Sequence, residues 1–126
     1  MNTKNTLITG ALMGLLGVAL GAFGAHALKP MLLESGRLET YELAVRYQFY
    51  HTGALLAVGI LQHLFPTTPF RWSSILFLSG ILLFSGSLYA LCFTGITTIA
   101  MITPFGGVLL IGGWLVLAIG IAKSIK

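Results

Sequence analysis

The chain has 126 residues, of which 56% are hydrophobic and only 8% are charged. An ordinary soluble domain carries roughly 25% charged residues, so this composition excludes a soluble globular fold and indicates an integral membrane protein. The formal net charge is +4, but the seven Lys and Arg residues lie singly along the chain. That pattern is typical of membrane topology signals and not of nucleic-acid binding, so we expect a lipid bilayer as the surroundings and no nucleic-acid partner.

Four apolar segments follow one another along the chain, at about residues 7–28, 43–64, 72–93 and 104–121. At about 1.5 Å per residue, each segment can cover the roughly 30 Å hydrocarbon core of a bilayer. The sequence therefore predicts one all-α membrane domain over residues 1–126, with four transmembrane helices in an up-down-up-down bundle. Thr103 followed by Pro104 predicts an N-cap at the start of the fourth helix.

Basic residues near the helix ends predict the orientation, and aromatic residues predict where one loop meets the membrane interface. If the four helices alternate in direction, one side of the membrane holds Lys4, Arg71, Lys123 and Lys126. The other side holds Lys29 and Arg37, with Arg46 just inside the second helix. The positive-inside rule then favours cytoplasmic N- and C-termini in the inner (plasma) membrane. Aromatic residues flank the second loop and are expected to anchor it at the membrane interface: Phe65, Phe70 and Trp72.

The first segment has a competing interpretation as a signal peptide. Lys4, the apolar stretch and Ala25-His26-Ala27 together imitate a cleavable signal sequence. The stretch is longer than the usual apolar core of roughly 7 to 15 residues, so we favour a helix that is retained.

Glycine spacing gives the strongest architectural signal in the first predicted helix. Five glycines, spaced by four, three, four and three residues, fall within an arc of about 80° on one helix face; we call this the glycine face: Gly10, Gly14, Gly17, Gly21 and Gly24. In lipid, small residues let helix backbones approach closely and gain van der Waals contact. The face predicts tight packing within the bundle or, alternatively, a surface for a second copy or another membrane protein.

Polar side chains collect around the start of the second predicted helix. They cover most of the helix circumference, and they cannot all face lipid because an unpartnered polar group in hydrocarbon is costly. We therefore expect a polar cluster between the first two helices, formed by His26, Glu42, Arg46, Tyr47, Gln48, Tyr50 and His51. Hydroxyl groups in the third helix and at its end are expected to bond across helices: Ser85, Ser87, Tyr89 and Thr94.

His51 is the polar residue with the most open role. If the second helix enters the membrane near Tyr41, His51 lies about 15 Å deep, near the midplane. A histidine at that depth is either a neutral residue hydrogen-bonded to a neighbouring helix or a proton carrier or ligand site, and the sequence leaves both open. Trp114 is expected to pack inside the bundle, where its indole N–H needs an acceptor.

Catalytic and metal-binding patterns are not visible. The sequence has no nucleophile elbow, phosphate-binding loop, dinucleotide glycine pattern or paired-carboxylate constellation. All three acidic residues lie between Glu34 and Glu42. Two histidines at different depths, without cysteine or a further carboxylate nearby, make a weak metal site. We therefore expect no enzyme activity, no metal and no cofactor.

Four short motifs occur in order along the chain: Gly21-Ala-Phe-Gly-Ala-His26, Val45-Arg-Tyr-Gln-Phe-Tyr-His51, Gly86-Ser-Leu-Tyr89, and Ile102-Thr-Pro-Phe-Gly-Gly107 followed by Gly113-Trp114. Together they resemble the DUF423 family of small bacterial membrane proteins, which is also similar to the transmembrane protein 256 group. The resemblance covers nearly the whole chain and implies four membrane-spanning helices. It brings no established substrate, cofactor or catalytic residue.

Two functional hypotheses follow from these patterns. The first is a helix-packing or partner-binding membrane protein, in which glycine faces mediate assembly and the polar cluster fixes helix register. The alternative is a small transporter or channel component, in which Arg46 and His51 handle an anion or a proton along a hydrated path. The two differ in whether water reaches His51.

Overall fold

A computed structural model describes all 126 residues. It contains α1 (Thr3–Ala25), α2 (Lys29–Glu34), α3 (Leu38–Leu64), α4 (Arg71–Thr94), a short 3-10 helix (Thr97–Met101) and α5 (Thr103–Ser124). The four long helices α1, α3, α4 and α5 confirm the predicted all-α class. α1 ends at Ala25 and not near residue 28, and α3 begins at Leu38 and not near residue 43.

The short helix α2 lies in the first loop, where the sequence analysis placed no element. Its Leu32 is fully buried and packs with Tyr41 and Cys92 in a small core at this end of the bundle. Pro30 lies in the first turn of α2. Backbone N–H groups in the first turn have no acceptor within the helix, so the lack of an N–H in proline removes no hydrogen bond there. Burial of Leu32 therefore holds the loop against the ends of α3 and α4.

Three segments are long and apolar enough to cross a membrane: Thr3–Ala25, Arg71–Thr94 and Thr97–Ser124. α3 is 27 residues long, but its polar side chains make it less hydrophobic than these three segments. It nevertheless packs along both α1 and α4, so it lies at the same membrane depth as these two helices. Some polar residues of α3 are enclosed by protein, among them Tyr41, Gln48, His51, Thr52 and Gln62.

Consecutive long helices are the main packing partners, and they run antiparallel. Between α1 and α3, for example, Met1 meets Gln62 at one end and Leu20 meets Tyr41 near the other. α1 and α5 have no extensive mutual contact. α3 and α4 therefore form the centre of the bundle, and α1 and α5 flank it.

The glycine face of α1 is turned towards α3. Gly10, Gly17 and Gly24 are buried. A Cβ on Gly17 would lie 2.9 Å from the ring of Phe49, and a Cβ on Gly24 would collide with the ring of Tyr41. Glycine at these positions lets the two helices approach until aromatic rings of α3 rest on the α1 backbone.

Gly14 and Gly21 belong to the same face but have more room. A Cβ on these glycines would lie 3.4 Å and 3.5 Å, respectively, from the nearest α3 side chain, which is ordinary van der Waals contact. The glycine face of α1 thus packs chiefly against α3 inside the chain.

A second glycine seam joins α4 and α5. Along this seam Gly120 faces the ring of Phe70, Gly113 faces the ring of Phe77, and Gly106 faces the backbone of Phe84. Both sets of residues repeat every seven positions, so each layer of contact recurs after about two helical turns. These layers extend into the main hydrophobic core of the bundle.

Two sequence predictions about helix ends are wrong. Phe70 is not an interfacial anchor, because it is only 1% exposed and packs against Gly120. Thr103 is not an N-cap, because Ile102 holds that position and no side chain caps the helix. The Thr103 hydroxyl instead lies 2.6 Å from the Ser87 hydroxyl and joins α5 to α4.

Candidate functional site

Buried polar side chains of α3 connect it to each of the other long helices. Three of them carry this pattern: Tyr41 and Gln48 bond to α1, Gln48 also bonds to α4, and His51 bonds to α5. α3 can do this because it lies in the centre of the bundle, where Gln48 and His51, about 60° apart around its axis, face different neighbours.

Gln48 joins three helices through one carboxamide. It is 3% exposed. Its Nε2 donates to the backbone carbonyl of Met13 on α1 at 2.8 Å, and its Oε1 accepts from the hydroxyl of Tyr89 on α4 at 2.8 Å. The amide is therefore satisfied on both sides in a region where an unpaired polar group would be expensive.

Tyr41 makes a second bond from α3 to the α1 backbone. Its hydroxyl donates to the carbonyl of Leu20 at 2.5 Å. In an α-helix the carbonyls of Met13 and Leu20 point towards the residues four positions later, which are Gly17 and Gly24. Because these glycines have no side chain, both carbonyls stay open to donors from α3. The glycine face therefore supplies hydrogen-bond acceptors as well as close packing.

His51 is held in one protonation state by its two partners. Its Nδ1 lies 2.7 Å from the backbone carbonyl of Tyr47, and the indole Nε1–H of Trp114 donates to its Nε2 at 3.0 Å. A carbonyl only accepts and an indole N–H only donates. His51 is therefore neutral, with its proton on Nδ1. The predicted need of Trp114 for an acceptor is confirmed, although this tryptophan is 47% exposed and not buried inside the bundle.

Aromatic rings surround His51. Phe77 and Trp114 lie at centroid distances of 5.6 Å and 5.9 Å from its imidazole, and the histidine is only 5% exposed. Tyr47, one turn earlier, stacks on Phe84 at 4.5 Å. Beside this cage a groove of about 480 Å³ opens between α3 and α5, with Tyr50 on its rim. Its wall is mostly apolar, and His51 itself forms part of it.

The predicted polar cluster between the first two helices is not a single cluster. Glu42 and Arg46 are exposed and line a groove of about 240 Å³ between α1 and α3. His26 is exposed at the C-terminal end of α1. Gln48 does lie between the first two long helices, where it bonds to Met13, but it also bonds to α4, and His51 bonds to α5. The sequence did not show which neighbour each side of α3 would meet.

Hydroxyl groups of α4 mostly behave as the sequence predicts. Ser85 donates to the carbonyl of Ala44 at 2.7 Å. The Tyr89 bond to α3 and the Ser87 bond to α5 are likewise confirmed. Thr94 instead donates to Ala90 of its own helix.

No sequence pattern predicts the bond from Tyr41 to α1. Tyr41 lies opposite the last glycine of the glycine face, and this position can be recognised only when the antiparallel register of α1 and α3 is known. No group of three or more His, Cys, Asp and Glu side chains is placed to hold a metal ion.

Comparison with known proteins places this architecture in a family. Residues 20–107 match the family described as "Protein of unknown function (DUF423)". A UPF0382 membrane protein of Staphylococcus saprophyticus is 47% identical over 122 residues, covering 95% of this chain and 98% of that protein. A UPF0382 membrane protein of Haemophilus influenzae is 48% identical over 122 residues, covering 96% of this chain and 97% of that protein.

The UPF0382 inner membrane protein YgdD of Escherichia coli K12 is 38% identical over 122 residues, covering 95% of this chain and 91% of YgdD. No solved structure matches the chain. The chain therefore belongs to the DUF423 (UPF0382) family and is a multi-pass inner-membrane protein.

Proposed function

We propose that this protein is a non-conducting helix-packing protein that binds the transmembrane helix of a partner through the lipid-facing side of α3. The observation that carries the proposal is an exposed pair of small residues, Gly53 and Ala57, four positions apart on α3. A Cβ on Gly53 would meet nothing within 4 Å. Small residues at this spacing form a surface on which another membrane helix packs closely.

The other glycine surfaces of the long helices are less available. Gly86 of α4 also has open space around it, but it is only partly exposed, whereas Gly53 and Ala57 are exposed. The glycines of α1 already pack against α3, and those of α5 already pack against α4. The Gly53 and Ala57 surface remains open to lipid. The adjacent groove at Tyr50 gives side chains of a docked helix a place to insert. A second copy of this chain and a different membrane protein are both suitable partners.

The pairing of the buried polar groups argues against transport or channel activity. A proton carrier must exchange protons with water, yet both ring nitrogens of His51 are occupied by protein groups. The Gln48 amide is paired in the same way. We propose that these residues fix the register of the helices, and that the protein carries out no catalysis.

The charge distribution supports cytoplasmic termini. The end of the bundle that holds both termini carries Lys4, Arg71, Lys123 and Lys126, and the positive-inside rule places such an end in the cytoplasm. Fusion of a reporter active on only one side of the membrane to the C-terminus tests this orientation. Cytoplasmic activity supports it, and periplasmic activity contradicts it.

Site-specific photocrosslinking in native membranes tests partner binding. A photoreactive residue replaces Ala57 in one variant and Leu15, on the exposed side of α1, in a matched control. We expect Ala57 to crosslink to one defined protein, identified by mass spectrometry as a second copy or another membrane protein. The control should give only lipid adducts.

A second substitution shows whether the crosslink depends on the proposed surface. A Cβ at Gly53 has no neighbour within 4 Å and the position is exposed, so Gly53→Leu should retain the fold. It should abolish the Ala57 crosslink while leaving thermal stability unchanged. Lipid adducts alone at both positions, or a crosslink that survives Gly53→Leu, would refute partner binding through α3.

A further inference from the structure

The two ends of the bundle differ strongly in charge. All three acidic side chains, Glu34, Glu39 and Glu42, lie at the end opposite the termini. The end with the termini has basic side chains and no acidic side chain: Lys4, Arg71, Lys123 and Lys126. An end of this kind attracts anionic groups at the membrane surface.

A polar cavity of about 370 Å³ lies within this basic end. It is formed where the start of α1, the end of α3 and the start of α4 come together. Its wall includes Arg71, the hydroxyl residues Thr67 and Thr68, and Gln62. The cavity therefore combines a cation, hydroxyl groups and an amide.

The position of this cavity matches the lipid head-group layer. Arg71 lies over the ring of Trp72 at 5.3 Å, and this tryptophan is exposed at the end of α4. Tryptophan is enriched at the level of the head groups, where its amphipathic ring is stable. A ligand that reaches the cavity from the side of the membrane would bring its polar head to the depth of Arg71.

Gln62 adds an unpaired hydrogen-bond acceptor beside the cavity. It is 8% exposed, and its Nε2 donates to the carbonyl of Met1 at 3.1 Å. Its Oε1 has no hydrogen-bond partner within the chain. This oxygen is enclosed in the structure, and a ligand donor pairs with it once the Gln62 side chain turns towards the cavity. A matching ligand therefore carries a hydrogen-bond donor as well as an anionic group, because a buried acceptor is stabilised when it is paired.

We propose that this cavity binds the head group of an anionic, hydroxyl-bearing glycerophospholipid such as phosphatidylglycerol. Arg71 and the Thr67 hydroxyl donate to the phosphate oxygens, and a head-group hydroxyl donates to Gln62. Arginine suits this role because its planar guanidinium can form two parallel bonds to a phosphate. The site is separate from the α3 surface proposed for partner binding and does not depend on it.

Lipid retention by the purified full-length protein tests the proposal. Native mass spectrometry measures bound phosphatidylglycerol in a titration, with phosphatidylcholine, which is neutral overall and has no head-group hydroxyl, as the comparison lipid. We expect preferential retention of phosphatidylglycerol, and Arg71→Gln should weaken its binding roughly tenfold. Lys126→Gln removes the same charge at the same end but outside the cavity, and it should change binding by less than about threefold at physiological salt.

A neutral variant protects the test against unfolding and against diffuse charge effects. Thr67→Val removes a cavity hydroxyl without changing charge, and it should weaken phosphatidylglycerol binding by about fivefold. Thermal unfolding of each variant shows that the fold is retained. If Arg71→Gln does not fold, Thr67→Val decides the question alone.

Three results would overturn the proposal. Equal losses in Arg71→Gln and Lys126→Gln would mean that the basic end attracts lipid without a defined site. Unchanged binding in both Arg71→Gln and Thr67→Val would remove the cavity from consideration. Displacement of phosphatidylglycerol by millimolar inorganic phosphate would mean that the cavity takes a free anion and not a lipid.

Discussion

Replacement of Gly106 by alanine should be the most damaging single methyl addition on the seam between α4 and α5. The new Cβ would lie 2.7 Å from the carbonyl carbon of Leu83 and 2.8 Å from the Cα of Phe84. These are backbone atoms, so no side-chain rotation can relieve the collision. The two helices would have to separate by roughly 1 Å to restore ordinary contact distances.

Gly107 provides a control in the neighbouring position. A Cβ there would lie 3.8 Å from the ring of Phe84, which is ordinary contact. Both substitutions replace glycine by alanine inside the same helix, and the higher helix propensity of alanine should stabilise each variant by the same amount, about 0.5 to 1 kcal/mol. Overpacking costs about 1 to 3 kcal/mol. Gly106→Ala should therefore be about 1 to 3 kcal/mol less stable than Gly107→Ala, since the propensity gain is common to both.

Reversible unfolding in mixed detergent micelles, followed by tryptophan fluorescence, measures this difference. The Gly107 variant should match or exceed the wild type, and the Gly106 variant should unfold at a lower denaturant concentration. Equal stability of the two variants would refute the close approach of α4 and α5 at this level.

Three further substitutions test the hydrogen bonds and the packing of α3. Trp114→Phe removes the donor to His51 and should lower the unfolding free energy by about 1 kcal/mol; no loss would contradict the bond. Tyr89→Phe leaves the buried Oε1 of Gln48 unpaired and should cost about 1 to 2 kcal/mol. In a double-mutant cycle with Gln48→Leu, the two losses should be less than additive by about 1 kcal/mol, and additive losses would contradict the bond. Gly24→Ala should displace the aromatic ring that rests on it and also destabilise the protein by about 1 to 3 kcal/mol, whereas wild-type stability would contradict the predicted collision.

Much of the fold follows from simple patterns in the sequence. Long apolar segments separated by charge, proline and glycine predict the four long helices, because only such segments can lie in lipid. Spacing also identified the glycine face of α1, since helical geometry alone places these residues on one side. The short helix α2 was not predicted, because its stability comes from the burial of Leu32 against α3 and α4 and not from its own sequence.

The candidate site was predicted less well than the fold. The depth of His51 follows from counting residues, and the need of Trp114 for an acceptor follows from its chemistry. Their mutual bond joins residues 63 positions apart, and it depends on how α5 is rotated against α4 by the seam at Gly113. Rotation of this kind is set by close packing of helices and not by local sequence, so the division of the polar residues among three neighbours could not be predicted.

We propose that the paired polar residues of α3 close the bundle and leave no hydrated path past His51. Solid-state NMR of the histidine ring nitrogens in bilayers tests it most directly in the unmodified protein. We predict a neutral His51 with its proton on Nδ1, close to the indole N–H of Trp114 and without contact with water. A charged imidazolium, a proton on Nε2, or rapid exchange with water at His51 would contradict the account and favour a transport pathway.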